Sequence, residues 1–138
     1  MPVTSKFAAR LEAHALVASV FVGGCAGALA RAGLDRAFPP GGGWPWATLA
    51  ANLVGTAVLA FFATRLQERL PPSTYRRPLL GTGFCGALTT FSTVQIELIR
   101  LGRDGQSGLA AAYLAVTLIG GLTAMFVVTG LVRRARIR

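Results

Sequence analysis

The stretch GTGFCGALTTFST, residues 81–93, lies inside an apolar segment, between PLL (78–80) and VQIELI (94–99). It holds three glycines and five hydroxyl side chains, a composition that weakens a helix. In lipid, backbone groups that leave a helix have to be satisfied, so irregular backbone is tolerated there only inside protein or around a cavity. The stretch therefore predicts a membrane helix that is broken near the bilayer midplane. The partial charges at such half-helix ends are suited to handling an ion.

The composition of the whole chain is that of a membrane protein. Its 138 residues are 53% hydrophobic and 14% charged, with a mean hydropathy of +0.56, whereas a soluble domain usually carries about a quarter charged residues. Four apolar stretches, 15–34, 46–64, 79–99 and 109–132, each approach the roughly 20 residues that a spanning helix needs. We therefore predict an all-α fold: a single transmembrane domain over residues 1–138 with four helices, the third of them broken.

The net charge of +9 does not indicate a nucleic-acid-binding protein. Positive residues beside apolar stretches anchor membrane helices, and many arginines are placed in this way: Arg65, Arg69, Arg76, Arg77, Arg133, Arg134, Arg136 and Arg138. Cys25 and Cys85 lie in separate spans, far from the single His14, which argues against a disulfide framework or a zinc site. We expect both cysteines to be buried as small apolar side chains. Because no nucleophile–base pair is visible, we do not predict an enzyme.

Polar residues recur at helical spacing on two other apolar stretches. Thr48, Asn52 and Thr56 share one face of the second helix, and Tyr113 and Thr117 share one face of the fourth. An amide in hydrocarbon needs partners or water, so these faces are expected to point inward. Hydrogen bonding between helices is the simpler interpretation of one such face. Several inward polar faces together favour a hydrated path or a binding track.

Beyond the predicted break, Thr90, Thr93 and Glu97 continue this pattern along one face, with Phe91 and Val94 on a neighbouring face. The edge of an aromatic ring carries partial positive charge and can favour an anion that approaches it. Packing is the more common use of a buried phenylalanine, so the residue type alone leaves both interpretations open.

The first helix contains GGCAGALAR, residues 23–31. Gly23 and Gly27 have the small-xxx-small spacing that lets another helix approach closely in lipid. Arg31 lies near the far end of this helix. It is equally compatible with snorkelling to the membrane interface and with a role in a pore or anion site.

The string GALTTFST (86–93), preceded by GTGFC (81–85) and followed by Glu97, resembles the signature of the Fluc (CrcB) fluoride channels. GGCAGALAR in the first helix, ATLAANLVGT (47–56) in the second and Tyr113 in the fourth are similar to that family as well. Because these motifs follow one another in order on four short spans, the resemblance covers nearly the whole chain.

The resemblance implies an antiparallel, dual-topology dimer in the cell membrane, with two pores through which fluoride leaves the cytoplasm passively. It also implies a central structural sodium ion, held by the backbone carbonyls of Gly86 and Thr89 from both subunits. Phe91 matches the first of a pair of pore phenylalanines, Asn52 a pore asparagine, and Arg31 an arginine near the aqueous entrance. The other matches to polar positions near the permeation track are Thr90, Thr93, Tyr113, Thr117 and Glu97.

Two positions depart from the family pattern. Val94 stands where the second pore phenylalanine is expected, and valine offers no ring edge to an anion. Gly121 stands where a serine would extend the hydroxyl track of the fourth helix. The departures weaken the match for the rest of the pore more than for Phe91, Asn52 and the sodium site.

The distribution of positive charge does not fit a protein that inserts equally in both directions. With four spans, both termini and the second connection share one side, which carries Lys6, Arg10, Arg65, Arg69, Arg76, Arg77, Arg133, Arg134, Arg136 and Arg138. The other side carries at most Arg31, Arg36, Arg100 and Arg103. The positive-inside rule then predicts cytoplasmic termini. One hypothesis is that the chain inserts in one main orientation and pairs with a related subunit of the opposite charge bias. In such a heterodimer this chain could carry Val94 if its partner keeps the pore contact. The other hypothesis is that a homodimer forms despite the charge bias.

A small four-helix multidrug transporter is a further alternative. Such an exporter needs a membrane-embedded carboxylate in its first helix, and this chain offers only Glu12, at the very edge of that helix. A non-conducting assembly subunit is the remaining alternative.

Overall fold

The computed structural model describes residues 3–39, 43–68 and 75–135, and these residues form helices joined by short connections. The helices are α1 (Val3–Ala37), α2 (Trp46–Glu68), α3 (π-helical over Pro78–Cys85, then α-helical over Gly86–Leu88), α4 (Ser92–Arg103) and α5 (Ser107–Arg134). The proline- and arginine-rich connection at 69–74, the glycine turn at 40–42, and Arg136 and Arg138 lie outside the described residues.

Four parts of the described chain are long and apolar enough to cross a membrane: Arg10–Ala37, Trp46–Arg65, Pro78–Arg103 and Ser107–Arg134. The predicted all-α fold, with four helices long and apolar enough to span a membrane, is thereby confirmed. The first helix begins much earlier than the predicted span 15–34, because strong helix formers such as Ala, Leu, Glu and Arg continue it beyond the apolar stretch. Hydropathy marks the part of a helix that suits lipid, not the residue at which the helix begins.

α1 and α3 pack with their backbones in direct contact. A Cβ atom on Gly23 would overlap the carbonyl oxygen of Leu79, and one on Gly27 would overlap that of Phe84. From the other side, a Cβ on Gly83 would lie 2.6 Å from the carbonyl oxygen of Val20. The predicted use of Gly23 and Gly27 for close helix approach is confirmed. This contact fixes the position of α3 against the rest of the chain.

The third candidate span is not one continuous helix. α3 ends at Leu88, Thr89 is extended with φ −84° and ψ 153°, and α4 begins at Ser92. Residues 89–91 therefore lie outside any helix, and their backbone groups need partners from elsewhere in the chain.

The interior of the single chain is small. A core of Leu49, Val94, Leu101 and Tyr113 joins α2, α4 and α5, while large apolar side chains on α1 and α5 are exposed, for example Phe126 at 70%. Such faces suit lipid or another subunit. Cys85 is buried as predicted, but the prediction for Cys25 is wrong, because its side chain is exposed on α1.

Candidate functional site

Asn52 on α2 holds the irregular backbone between α3 and α4. Its Nδ2 donates to the carbonyl oxygen of Thr90 at 3.0 Å, and the Thr90 N–H donates to its Oδ1 at 2.8 Å. One side-chain amide thus satisfies both backbone groups of a residue that has left the helix. This explains why an asparagine lies in an otherwise apolar helix, where an unpartnered amide is costly.

A chain of hydroxyl groups lies beside this clamp. The Oγ atoms of Thr90 and Thr93 are 3.2 Å apart, and Ser92 Oγ is 3.2 Å from Thr90 Oγ. Arg31 reaches this group from α1: its Nη2 donates to Thr93 Oγ at 3.2 Å and its Nη1 to the carbonyl oxygen of Leu88 at 3.4 Å. The sequence left Arg31 either snorkelling to the membrane interface or taking part in a pore or anion site. The structure shows that its guanidinium group contacts the protein interior, beside residues 89–91.

Glu97 is bound by hydroxyl groups from two neighbouring helices. Thr48 on α2 donates to its Oε1 at 2.7 Å, and Tyr113 on α5 donates to its Oε2 at 2.7 Å. Tyr113 is fully buried, with its ring edge-on to Trp44 at 5.8 Å between centroids. The three polar faces predicted on α2, α4 and α5 therefore meet at this carboxylate.

Phe91 and Val94 are placed differently from each other. Phe91 is 70% exposed, whereas Val94 is 3% exposed and belongs to the core. The two side chains therefore differ in burial, because Phe91 precedes the first turn of α4 whereas Val94 lies within it. A valine at position 94 fits a core shared with Leu49 and Tyr113.

Two cavities lie on either side of the Thr90–Thr93 pair. The larger, of about 820 Å³, is lined by Thr48, Thr93, Glu97 and Arg100 among others. The smaller, of about 320 Å³, is lined by Asn52, Thr56, Thr89, Thr90, Phe91, Val94 and Thr117, together with Gly55, Leu59, Leu114 and Leu118. No charged side chain is present among these described lining residues of the smaller cavity. Thr117 Oγ is also buried without a hydrogen bond of ordinary geometry to another described residue.

The carbonyl oxygens of Gly86 and Thr89 lose their usual helical donors. In a continuous helix they would accept from the N–H groups of Thr90 and Thr93, but these donate to Asn52 Oδ1 at 2.8 Å and to Thr90 Oγ at 3.3 Å. Within the described residues no backbone hydrogen bond to either oxygen is found. Gly86 is also exposed. Free main-chain oxygens at an unwound segment have the chemistry of sodium ligands, so the two residues fit the expected ion.

The structure thus brings Asn52, Thr90, Thr93 and Arg31 together at the break. It joins Glu97 to Tyr113, and places Phe91 and Thr117 at the smaller cavity. Thr48 was predicted only as part of a polar face, although its position four residues before Asn52 was the signal that it belongs to the site. Trp44, whose buried Nε1 has no partner among the described residues, gave no signal beyond that of an interfacial aromatic.

These features define a multi-pass α-helical membrane protein with an unwound segment and a cavity lined by neutral hydrogen-bonding groups. Residues 18–131 match the family model described as CrcB-like protein, Camphor Resistance (CrcB). A protein of Mycobacterium tuberculosis (strain CDC 1551 / Oshkosh) named fluoride-specific ion channel FluC 1 is 56% identical over 123 residues, 88% of this chain and 93% of the relative. One of the same name from Streptomyces coelicolor is 40% identical over 120 residues, 86% of this chain and 78% of the relative.

The chain belongs to the CrcB family. The resemblance to that family seen in the sequence motifs is confirmed. Members of the family are ion channels and not enzymes.

Proposed function

We propose that the chain is a subunit of a fluoride-selective channel in the cell membrane, through which cytoplasmic fluoride leaves passively down its electrochemical gradient. The observation that carries the proposal is the smaller cavity, where the ring of Phe91 lies with Asn52 and Thr90 in a lining that holds no charged residue among those described. The names of the relatives support fluoride as the ion.

The lining suits the chemistry of fluoride. This small anion is strongly hydrated, so it enters a narrow path only where donors replace its water. Hydroxyl groups, the Asn52 amide and the positive edge of the Phe91 ring offer such contacts. They do so without a fixed positive charge, which would hold the ion instead of releasing it, and conduction needs sites that also release.

The conducting unit in this proposal is an antiparallel dimer with two pores. Phe91 and Gly86 are exposed in the single chain, so a second copy that packs over them would complete the cavity and bring four carbonyl oxygens together. A central sodium ion, held by the carbonyls of Gly86 and Thr89 from both copies, would then stabilise the two breaks near the bilayer midplane. The charge bias of the sequence keeps a heterodimer with a related subunit as the alternative.

Fluoride efflux from vesicles that contain the purified chain alone tests the proposal. We expect a fluoride electrode to record rapid release from these vesicles, and slow release with Phe91→Ile or Asn52→Asp. The first variant removes the ring edge, and the second replaces a donor by a carboxylate that repels the anion and the Thr90 carbonyl. Loss of one hydrogen bond of this kind is expected to slow fluoride efflux by roughly tenfold or more.

Phe126→Ile is the matched control, because Phe126 is 70% exposed, as Phe91 is, but lies on α5 away from the lining residues. It is expected to conduct at the rate of the unmodified chain. Unchanged efflux in both Phe91→Ile and Asn52→Asp would remove the pore assignment. Absence of efflux from the chain alone, restored when a related subunit is added, would support the heterodimer.

A further inference from the structure

The contacts of Arg31 set the direction of the hydrogen bonds at the break. Its guanidinium group can only donate, so Thr93 Oγ is the acceptor in the 3.2 Å contact with Nη2. Thr90 Oγ is likewise an acceptor for the N–H of Thr93, at 3.3 Å. Two of the four lone pairs on these hydroxyl groups are therefore occupied before the two groups bond to each other.

The bond between the two hydroxyl groups can run in either direction. If Thr93 donates to Thr90, both lone pairs of Thr90 Oγ are occupied, and its proton is left for Ser92 Oγ, 3.2 Å away, or for the smaller cavity, which Thr90 lines. If Thr90 donates to Thr93, its proton is used, and Thr90 offers a lone pair to Ser92 or to that cavity. The first arrangement presents a donor, which suits an anion, and the second presents an acceptor, which suits a cation.

Arg31 favours the first arrangement. A hydroxyl group that accepts from a charged donor becomes a stronger donor itself, because hydrogen bonds in a chain polarise one another. Thr93, which accepts from Arg31, is the polarised member of the pair. We propose that Arg31 is a positioning residue for anion selectivity, which acts through Thr93 to turn the Thr90 proton towards the smaller cavity. The inference rests on the proposed function.

The polar groups around Glu97 show the opposite polarity. The hydroxyl groups of Thr48 and Tyr113 both donate to the carboxylate of Glu97, so their protons are occupied and only lone pairs remain. These two hydroxyl groups therefore offer no proton to an anion, unlike the Thr90–Thr93 pair; the donor beside them in the larger cavity is the charged Arg100. Arg31 itself does not belong to the lining of the smaller cavity, so its hydrogen bonds reach that cavity only through the hydroxyl groups.

A double-mutant cycle on the purified chain in vesicles tests this inference. The variants are Arg31→Met, Thr93→Val and the combination of both, measured by fluoride efflux and by the reversal potential in a potassium fluoride gradient. Each single variant is expected to slow efflux by about tenfold and to lower the fluoride-to-potassium permeability ratio. Because both act on one chain of hydrogen bonds, the double variant is expected to be no slower than Thr93→Val.

The conservative variants separate polarity from shape. Arg31→Lys keeps a charged donor and is expected to conduct faster than Arg31→Met, and Thr93→Ser keeps the hydroxyl and is expected to conduct faster than Thr93→Val. Arg36→Met removes the same charge five residues further along α1, from an exposed side chain, and is the control for a general effect of charge. If Arg31→Met does not fold, the fluoride-to-potassium permeability ratios of Arg31→Lys, Thr93→Ser and Thr93→Val still test whether Arg31 acts through the Thr93 hydroxyl group.

Additive losses in the cycle, or an unchanged permeability ratio in Arg31→Met and Thr93→Val, would overturn the role of Arg31. An equal loss in Arg36→Met would overturn it as well, because the effect would then be one of net charge. These outcomes leave the fluoride channel itself intact. An unmodified chain that releases no fluoride, with or without a related subunit, would overturn both proposals.

Discussion

Glu97 shows how single residues fix the relative positions of three helices. Its two carboxylate oxygens accept from Thr48 on α2 and from Tyr113 on α5, each at 2.7 Å. Hydrogen bonds to a charged group contribute more than those between neutral groups, particularly where water is scarce. The carboxylate therefore acts as a junction whose strength depends on both hydroxyl groups.

Removal of the Tyr113 hydroxyl is expected to weaken this junction. Tyr113→Phe keeps the buried ring but leaves Glu97 Oε2 without its donor, which corresponds to a loss of about 1.5–3 kcal/mol in the free energy of unfolding. Thermal unfolding in detergent micelles measures the change. Tyr75→Phe is the matched control, since Tyr75 is 44% exposed. Equal unfolding midpoints for Tyr113→Phe and the unmodified chain would show that the bond does not contribute to stability.

For single residues, the sequence was a better guide to which residues belong to the site than to the contacts that those residues make. Asn52 was identifiable because an amide in an apolar helix needs partners, and Glu97 because it is the one acid deep in a span. That Asn52 binds the backbone of Thr90, and that Thr48 reaches Glu97, depends on how α2 is rotated against α4. A helical pattern fixes which residues share a face, but not their partners across an interface.

At the scale of elements, the glycines of α1 determine how closely α3 approaches. Gly27 faces the carbonyl oxygen of Phe84, whereas a Cβ atom added to Gly24, three residues earlier, would meet no atom within 4 Å. Neighbouring glycines on one helix therefore have different roles, and only those that touch backbone have no room for a side chain.

Gly27→Ala is therefore expected to destabilise the chain, because a backbone oxygen cannot move aside as a flexible side chain can. Overpacking of this kind costs about 1–3 kcal/mol or more. Gly24→Ala is expected to be neutral or slightly stabilising, since alanine is favoured over glycine within a helix. Thermal unfolding of the two variants in the same detergent compares them directly, and equal midpoints would contradict the packing described for Gly27.

The sequence predicted the number of spans well and the form of the third span less well. Glycines and hydroxyl residues indicated where regular helix would fail, and residues 89–91 do lie outside any helix. The π-helical turns at Pro78–Cys85 gave no recognisable signal. These turns are also the part of the chain whose backbone touches α1, at Leu79 and Phe84, and local composition does not encode such a tertiary contact.

At the scale of the whole molecule, charge predicts a preferred orientation. Arg10, Arg65 and Arg134 are among the ten positive residues of the side that holds both termini, against at most four on the other side. Positive residues near the ends of spans are retained on the cytoplasmic side. The strength of this bias decides between a homodimer and a heterodimer.

Cysteine labelling in whole cells measures the orientation. In a chain that carries Cys25→Ser and Cys85→Ala, one variant adds a cysteine at the C-terminus and another carries Gln106→Cys, in the connection before α5. With one main orientation, a membrane-impermeant maleimide is expected to label position 106 and to leave the C-terminal cysteine unlabelled. Equal labelling of both positions would instead show two orientations in one membrane and would remove the heterodimer hypothesis.

The exposure of Phe91 has a genetic consequence. Phe91 is 70% exposed in its own chain, so in the proposed dimer its ring would lie against the second copy. In a cell that makes both the unmodified chain and a Phe91 variant, most dimers formed at random would contain at least one variant chain. A loss-of-function allele at position 91 would then act as dominant, whereas one that unfolds its own chain would act as recessive.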